Sequence, residues 1–297
     1  MSRRTLRRRS RRKGFPPILR NTSSGRRRKR TWNGRGMRGQ PRERGREAMP
    51  LALSGCTPDE FLAFRISQEV RDFERTAVGT LSPVPLLGVL HAQASHAGHG
   101  KFLLLGSRET PLTEGSKELF DLAQRGKLDL FFLSGAQIDR KGNINLTCIG
   151  PYDSPKVRLP GGAGSAMLYY MTRRVVLFTL SHSPRLFVEK CDFVTSAAST
   201  PQYPWRRGGP TRLITPLCTM EYDTGDGEWR LLSLHPGVSH AEAQKETGFP
   251  LLPGSAPETP SPPPEDVALL RAQIPVLANS YPVFAQALEA RIGALSP

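Results

Sequence analysis

Residues 57–73, TPDEFLAFRISQEVRDF, carry apolar side chains at Phe61, Phe64, Ile66 and Val70, the spacing of one helical face. Thr57 stands where a cap is needed, Pro58 takes the first helical position and Glu60 follows the threonine by three residues, the pattern of a capping box. RTAVGTLS (75–82) predicts a short strand into a Gly-Thr turn, and PVPLLGVLHAQASHA (83–97) a second helix opened by prolines. KFLLLGS (101–107), an apolar run into a glycine, predicts a buried strand, and LDLFFLSG (128–135) predicts another. Between them EGSKELFDLAQRG predicts a helix stopped by Gly126, and NINLTCIG (143–150) reads as a further strand.

The second half is richer in strands: RVVLFTL, RLFVEKCDFVT, TRLITPLCTMEYD and EWRLLSLHPGV each fit one. HAEAQKETGF predicts a short helix ended by Gly248, SAPETPSPPPEDV a Pro-rich surface linker, and residues 264–293 a helical tail broken at Pro275 and Pro282. Helices alternating with apolar strands predict an α/β fold with an open, mainly parallel sheet and flanking helices. Three segments are expected: a leader over 1–48, one domain over 49–273 and a C-terminal helical tail over 274–297.

Charge changes the picture at one place. Residues 1–48 hold 19 of the 42 basic residues and 2 of the 26 acidic ones, so the remaining 249 residues carry 23 basic and 24 acidic groups. The net charge of +16 therefore belongs to the leader, and the body is an ordinary, nearly neutral domain rather than a nucleic-acid binder. The leader is too poor in apolar residues to offset its chain entropy, and disorder is expected there. It has three readings: a tail for nucleic acid or acidic surfaces, an export or organelle signal, or sequence upstream of a true start at Met49. SRRKGF (10–15) faintly matches a twin-arginine signal, but no apolar stretch follows it. The expectation is the third, with nucleic acid as a partner only through this segment.

No run approaches the ~18 apolar residues of a membrane span. Cys56, Cys148, Cys191 and Cys218 are far apart, with no C-x-x-C pair, which fits a reduced, cytoplasmic setting without a zinc site or disulfide framework. His91, His96 and His99 lack metal-ligand spacing and are expected as exposed loop histidines; His235, before a Pro-Gly turn, is expected to be structural.

Two glycine loops carry the candidate chemistry. In LFFLSGAQID, the Ser134-Gly135-Ala136 step lets the backbone approach a ligand beyond a strand end, where α/β sheets bind them, and Gln137 and Asp139 offer polar contacts. The same residues also fit a tight turn with Asp139 in an Asx-turn before Gly142. In RLPGGAGSA, Gly161, Gly162 and Gly164 could present backbone N–H groups to a phosphate, carboxylate or oxyanion ahead of the helix SAMLYYM, or form a plain strand-to-helix turn. Neither is a Walker loop or a G-x-G-x-x-G motif.

FFLSGAQIDRKGNINLTCIGPYDSPKVRLPGGAGSA, RLFVEKCDFVTSA, GGPTRLITPLCTMEYD and LLSLHPGVSHAEAQKETGF together resemble the β-subunit of family I CoA-transferases, nearest in pattern to glutaconate CoA-transferase β-subunits and to steroid ring-cleavage CoA hydrolase subunits. The likeness covers about 57–273. It implies a CoA-transferase (NagB/RpiA-like) fold, an α-subunit-like partner, acyl-CoA and carboxylate substrates and no permanently bound cofactor, with coenzyme A thioester as substrate. Residues 131–166 would then line a CoA-thioester cleft facing the partner, with Gly135, Gln137, Gly161, Gly162 and Gly164 at the CoA or oxyanion site. In the family a glutamate attacks the acyl-CoA carbonyl to give an anhydride, CoA thiolate returns to form a glutamyl-CoA thioester, and CoA passes to a second carboxylate. That glutamate follows a strand in a Glu-x-Gly or Ser-Glu-Asn-Gly motif. Here the matching position, 105 or 106, is Leu or Gly, and Glu109 and Glu114 come later. Glu109 is the nucleophile candidate if the loop is shifted. It is otherwise a loop carboxylate, and the chain is then a hydrolase, ring-opening or non-catalytic subunit without a nucleophile of its own.

Overall fold

The computed structural model describes residues 53, 55–107, 112, 114–198, 205, 206 and 208–295, all within the unit of residues 46–297. The leader and Glu109 lie outside the described residues. In chain order the elements are α1 (Pro58–Ser67), β1 (Arg75–Val78), α2 (Pro83–Ser95), β2 (Lys101–Leu104), α3 (Ser116–Gln124), β3 (Leu130–Leu133), β4 (Gln137–Asp139), β5 (Ile144–Asn145), β6 (Cys148–Ile149), β7 (Val157–Arg158), α4 (Ser165–Met171), β8 (Arg174–Phe178) and β9 (Phe187–Val188). They continue with β10 (Pro210–Ile214), β11 (Cys218–Asp223), β12 (Glu228–Leu234), α5 (His240–Lys245), α6 (Pro264–Ala272), α7 (Ile274–Ser280) and α8 (Pro282–Gly293).

The main sheet has the order β12-β11-β10-β8-β3-β1-β2. Its strands from β10 to β2 are parallel, and β11 and β12 add an antiparallel margin. This is the open, mainly parallel α/β sheet that the hydrophobic pattern predicts. Alternate side chains leave the strands toward opposite layers. Leu130 and Phe132 of β3 point with Val78, Val176 and Ile214 toward α1, α2 and the C-terminal helices. Ala77 and Phe131 point the other way, toward Leu119 and Ala123 of α3 and Leu168 of α4.

The start of α1 follows the sequence closely. The Thr57 hydroxyl accepts from the Glu60 N–H at 3.2 Å and the Glu60 carboxylate accepts from the Thr57 N–H at 2.7 Å. Glu60 is buried and also holds the Arg271 guanidinium of α6 at 2.7 Å. The last three helices break where the prolines stand, at Pro275 and Pro282, and Ile274, Leu277, Ala285 and Leu288 are buried in the same core as α1 and α2.

Four readings of the pattern change. KFLLLGS is the edge strand β2, and only Leu104 in it is fully buried, because nothing pairs beyond it. NINLTCIG is interrupted: the Asn145 side chain accepts from the Thr147 and Cys148 N–H groups at 2.9 and 3.3 Å, and this local bonding replaces the ladder. TRLITPLCTMEYD folds back as β10 and β11, since the Thr215 hydroxyl accepts from the Leu217 and Cys218 N–H groups at 3.2 and 3.0 Å and Pro216 offers no donor. The Pro-rich stretch is not wholly on the surface: Thr259 is buried and its N–H donates to the Leu234 carbonyl at 2.6 Å.

Candidate active site at the carboxyl ends of the strands

Beyond the ends of β1 and β2 lies a cleft of about 440 Å³, walled by Thr80 and the Leu104–Ser107 turn on one side and by Asn279, Ser280 and Tyr281 on the other. Gly106 has φ +84°, which lets the chain turn away from the strand end. The Tyr281 hydroxyl accepts from the Ser82 N–H at 3.3 Å and lies 3.1 and 2.9 Å from the Gly79 and Thr80 carbonyls, to which it can donate. It pins the α7–α8 junction to the β1–α2 turn. Leu105 and Gly106, where the resemblance would place a glutamate, line this cleft.

The two glycine loops meet on one segment. The Ala136 N–H donates to Asn145 O at 2.9 Å, and the Gly161 N–H to Leu146 O at 2.9 Å. Close packing accounts for glycine at three of the four positions. A Cβ at Gly135 would lie 2.4 Å from Ile144 Cγ2, at Gly162 2.6 Å from both Ser165 Oγ and Thr195 Cγ2, and at Gly164 2.2 Å from the Phe120 ring. At Gly161 the space is open and φ is +94°. Leu105, Leu133, Phe120 and Leu168 share one apolar cluster, which joins the cleft wall to these loops.

Gln137 is 6 % exposed and both ends of its amide are engaged. Its Nε2 donates to Asp192 Oδ2 at 3.1 Å, and its Oε1 accepts from Asn145 Nδ2 at 2.7 Å and from the Asp192 N–H at 3.0 Å. Asp192 also accepts from the Gly150 N–H at 2.8 Å. Gln137 thus ties the β4–β5 hairpin to the turn at 191–192. Asp139 accepts from the Asn143 N–H at 2.9 Å and from its amide at 3.0 Å, the turn role. Sequence reasoning missed Asn145, Asp192 and Thr195. Asn145 had a signal, as the cross-strand partner of Gln137 in a hairpin whose turn was legible. Tyr281 had none, being some two hundred positions from the turn it holds.

The histidines divide. His91 is fully buried within α2, with Ser67 Oγ and Asp266 Oδ1 each 3.0 Å from its ring nitrogens, so it joins α1 to α6 instead of standing in an exposed loop; burial lowers its pKa. His182 lies 2.9 Å from both the Thr215 and Thr247 hydroxyls. His235 lies 2.8 Å from Thr215 O and 2.9 Å from the Thr259 hydroxyl. Burial pushes both down to about 3, so both rings are neutral at pH 7. Burial raises the Cys56 thiol to about 11 and the Cys218 thiol to about 12, which removes both as thiolate nucleophiles at neutral pH. Among the described residues no three His, Cys, Asp or Glu side chains converge as a metal site, and no helix is long and apolar enough to cross a membrane.

This arrangement, with a cleft and glycine loops at the carboxyl ends of a parallel sheet, is matched over residues 78–243 by the family model for coenzyme A transferase, and the chain belongs to that family. It is 37% identical to the B-type subunit of the 3-oxoadipate CoA-transferase of Pseudomonas knackmussii over 191 residues, 57% of this chain and 73% of that one. It is 31% identical to the B-type subunit of the glutaconate CoA-transferase of Acidaminococcus fermentans over 150 residues, 48% of this chain and 56% of the relative. Among solved structures, the decarboxylase AibA/AibB superposes with a TM-score of 0.61 at 28% identity, covering 73% of this chain and 94% of that one. The matched segment contains both glycine loops, whereas Asn279, Ser280 and Tyr281 of the cleft wall lie beyond it.

Proposed function

We propose that this chain is the β-type subunit of a two-subunit enzyme that transfers CoA between carboxylic acids through acyl-CoA thioesters. The family match across the strands that build the cleft carries this reading, and the relatives, named as B-type subunits, support a second, α-type chain as partner. In this reading the thioester lies over the ends of β1 and β2. The CoA arm runs along the loop of Gly161, Gly162 and Gly164, and Gly135 and Gln137 hold that loop in shape. Glu109, two residues past the cleft-lining Ser107, is the nucleophile. Its carboxylate attacks the acyl-CoA carbonyl and expels CoA thiolate. The thiolate returns to the glutamyl carbonyl of the anhydride and releases the donor acid as its carboxylate. The acceptor carboxylate then displaces CoA from the glutamyl thioester as a second anhydride, and thiolate attack on its acyl carbonyl gives the new acyl-CoA and frees Glu109.

The test is co-expression of the chain with a candidate α-type subunit, followed by acyl-CoA exchange with and without acetate. The expected result is CoA exchange, a glutamyl-CoA thioester trapped by borohydride, and loss of both in Glu109→Gln by a factor on the order of 10³. Absence of turnover with every acyl-CoA sinks the assignment. One observation favours a second reading: Leu105 and Gly106, where the resemblance puts the glutamate, line the cleft. A chain without the nucleophile leaves hydrolysis or ring opening of the thioester to the partner's groups, and thiol release that survives Glu109→Gln is its signature. The fold admits such variation, since the superposed AibA/AibB is a decarboxylase.

A further inference from the structure

The amino ends of the same parallel strands form a second concavity of about 380 Å³, at the opposite end of the strands from the cleft. Arg75 opens β1, Lys101 opens β2, and Lys127 and Arg173 stand just before β3 and β8. Arg75 and Lys101 are in register on adjacent strands, and neighbouring strands are about 4.8 Å apart, so the four cations form a row. Two carboxylates share the groove and both are engaged. Glu74 binds Arg174 at 2.6 Å, while Asp129 accepts the Arg75 N–H at 2.9 Å and lies 3.5 Å from Arg173. Among the described residues Lys101 and Lys127 have no carboxylate partner. At the end of α3 the Leu122 and Ala123 carbonyls accept from the Lys127 and Gly126 N–H groups at 2.8 and 2.9 Å, and the Lys127 carbonyl accepts from Arg75 Nη1 at 2.9 Å, which holds that guanidinium at the groove.

At one end of the row stands an aromatic shelf. Phe73 is 77 % exposed and has φ +61°, a backbone conformation in which a bulky residue is uncommon. Its ring stacks on His99 at 4.7 Å with 4° between the planes. His99 is held by Asp72, through Nδ1 at 2.9 Å and its N–H at 2.8 Å. One face of Phe73 is therefore covered, and the 77 % exposed ring lines the groove together with His99. An exposed, fixed ring beside a row of partly unpaired cations matches a ligand with a flat base at one end and phosphates at the other, and the volume lies within the usual range of small-ligand sites.

We propose that this groove binds a nucleoside polyphosphate, its base on Phe73 and its phosphates along Arg75, Lys101, Lys127 and Arg173. The same chemistry is presented by a free nucleotide and by the nucleotide end of CoA. Titration calorimetry on the full chain with ADP, CoA and pyrophosphate tests it, comparing the wild type with Phe73→Ala, Phe73→Tyr, Lys101→Ala and Arg173→Ala. The basic leader is common to all of these and drops out of the comparison. ADP affinity is expected to fall roughly tenfold in Phe73→Ala and to persist in Phe73→Tyr. In the two cation variants it weakens and depends less on salt. Pyrophosphate is expected to bind more weakly than ADP and to ignore Phe73. CoA weakened in step with ADP assigns the groove to the nucleotide end of CoA, and CoA unaffected assigns it to free nucleotides. The proposal is overturned by ADP giving no heat, or by equal ADP affinity in all variants. It is also overturned if Phe73→Ala alters only sedimentation, which would make this face an interface between copies.

Discussion

The two ends of the parallel sheet use their polar residues in opposite ways. At the carboxyl end Gln137, Asn145 and Asp192 satisfy one another and the backbone of two loops, and the half-buried His182 and the buried His235 are neutral and bonded to Thr215. At the amino end Arg75, Lys101, Lys127 and Arg173, at or just before the starts of β1, β2, β3 and β8, line a groove with few anions to meet them, and His99 is exposed under Phe73. Residues that looked chemical in the sequence hold the scaffold of the cleft, while residues that looked like an ordinary charged surface gather into a groove. A polar side chain whose every hydrogen bond is internal serves shape, and one left without a partner is available to a ligand.

Acid breaks this contrast most strongly. His182 and His235 have folded-state pKa values of about 3, below the ordinary 6.5 of the unfolded chain. The unfolded state therefore takes up protons first. Stability is intact above about pH 6.5 and falls as pH drops toward 3, by about 1.4 kcal/mol per pH unit for each ring. Urea unfolding at pH 7, 6, 5 and 4 is expected to show that slope, and to show it reduced in His182→Gln. An unchanged slope would mean that the carboxyl end is open to water.

Next in size is the amide network. Asn145→Ala removes the Asn145 partner of the Thr147 N–H and the Cys148 carbonyl and one of the two donors to Gln137 Oε1, and a loss of about 3 kcal/mol is expected in chemical denaturation. Gly164→Ala drives a methyl into Phe120 and is expected to cost about 2 kcal/mol, part of which returns in the double variant with Phe120→Leu. Tyr281→Phe is expected to cost about 1 kcal/mol, with faster hydrogen exchange at the Ser82 amide and little change elsewhere. Lys127→Ala, at the amino end, is expected to stay within about 0.5 kcal/mol of the wild type. A large loss there would show that the row of cations is part of the scaffold after all.

Much of this was legible in the chain. The capping box at Thr57 and Glu60, the apolar runs of β3 and β8, the glycine stop after α3 and the proline breaks at 275 and 282 all act through neighbours a few residues away, and local chemistry settles them. What escaped depends on lateral position or on distant partners. An apolar run does not say whether it lies in the middle of a sheet or, like β2, at its edge. His91 looks like a loop residue until Ser67 and Asp266 close around it. The cleft was hardly visible: the glycine loops are contiguous motifs, but Gly135, Gly161, Gly162 and Gly164 do not line it, and its far wall is Tyr281 and its neighbours, brought in by the packing of the last helices. The amino-end groove draws single residues from the starts of four strands, and no window of sequence contains it.

The course of residues 252–259 has a consequence for assembly. The outer edge of β12 is hydrogen-bonded along its length: Trp229 N–H to Arg140 O at 3.2 Å, Leu231 N–H to Leu252 O at 2.7 Å, Leu234 N–H to Pro257 O at 3.0 Å. An edge strand with its amides taken cannot template another chain. The margin at β2 is four residues long and begins with an exposed lysine, which blunts it in a different way. A larger complex containing this chain therefore does not extend the sheet at β12, because that edge is already satisfied within the chain.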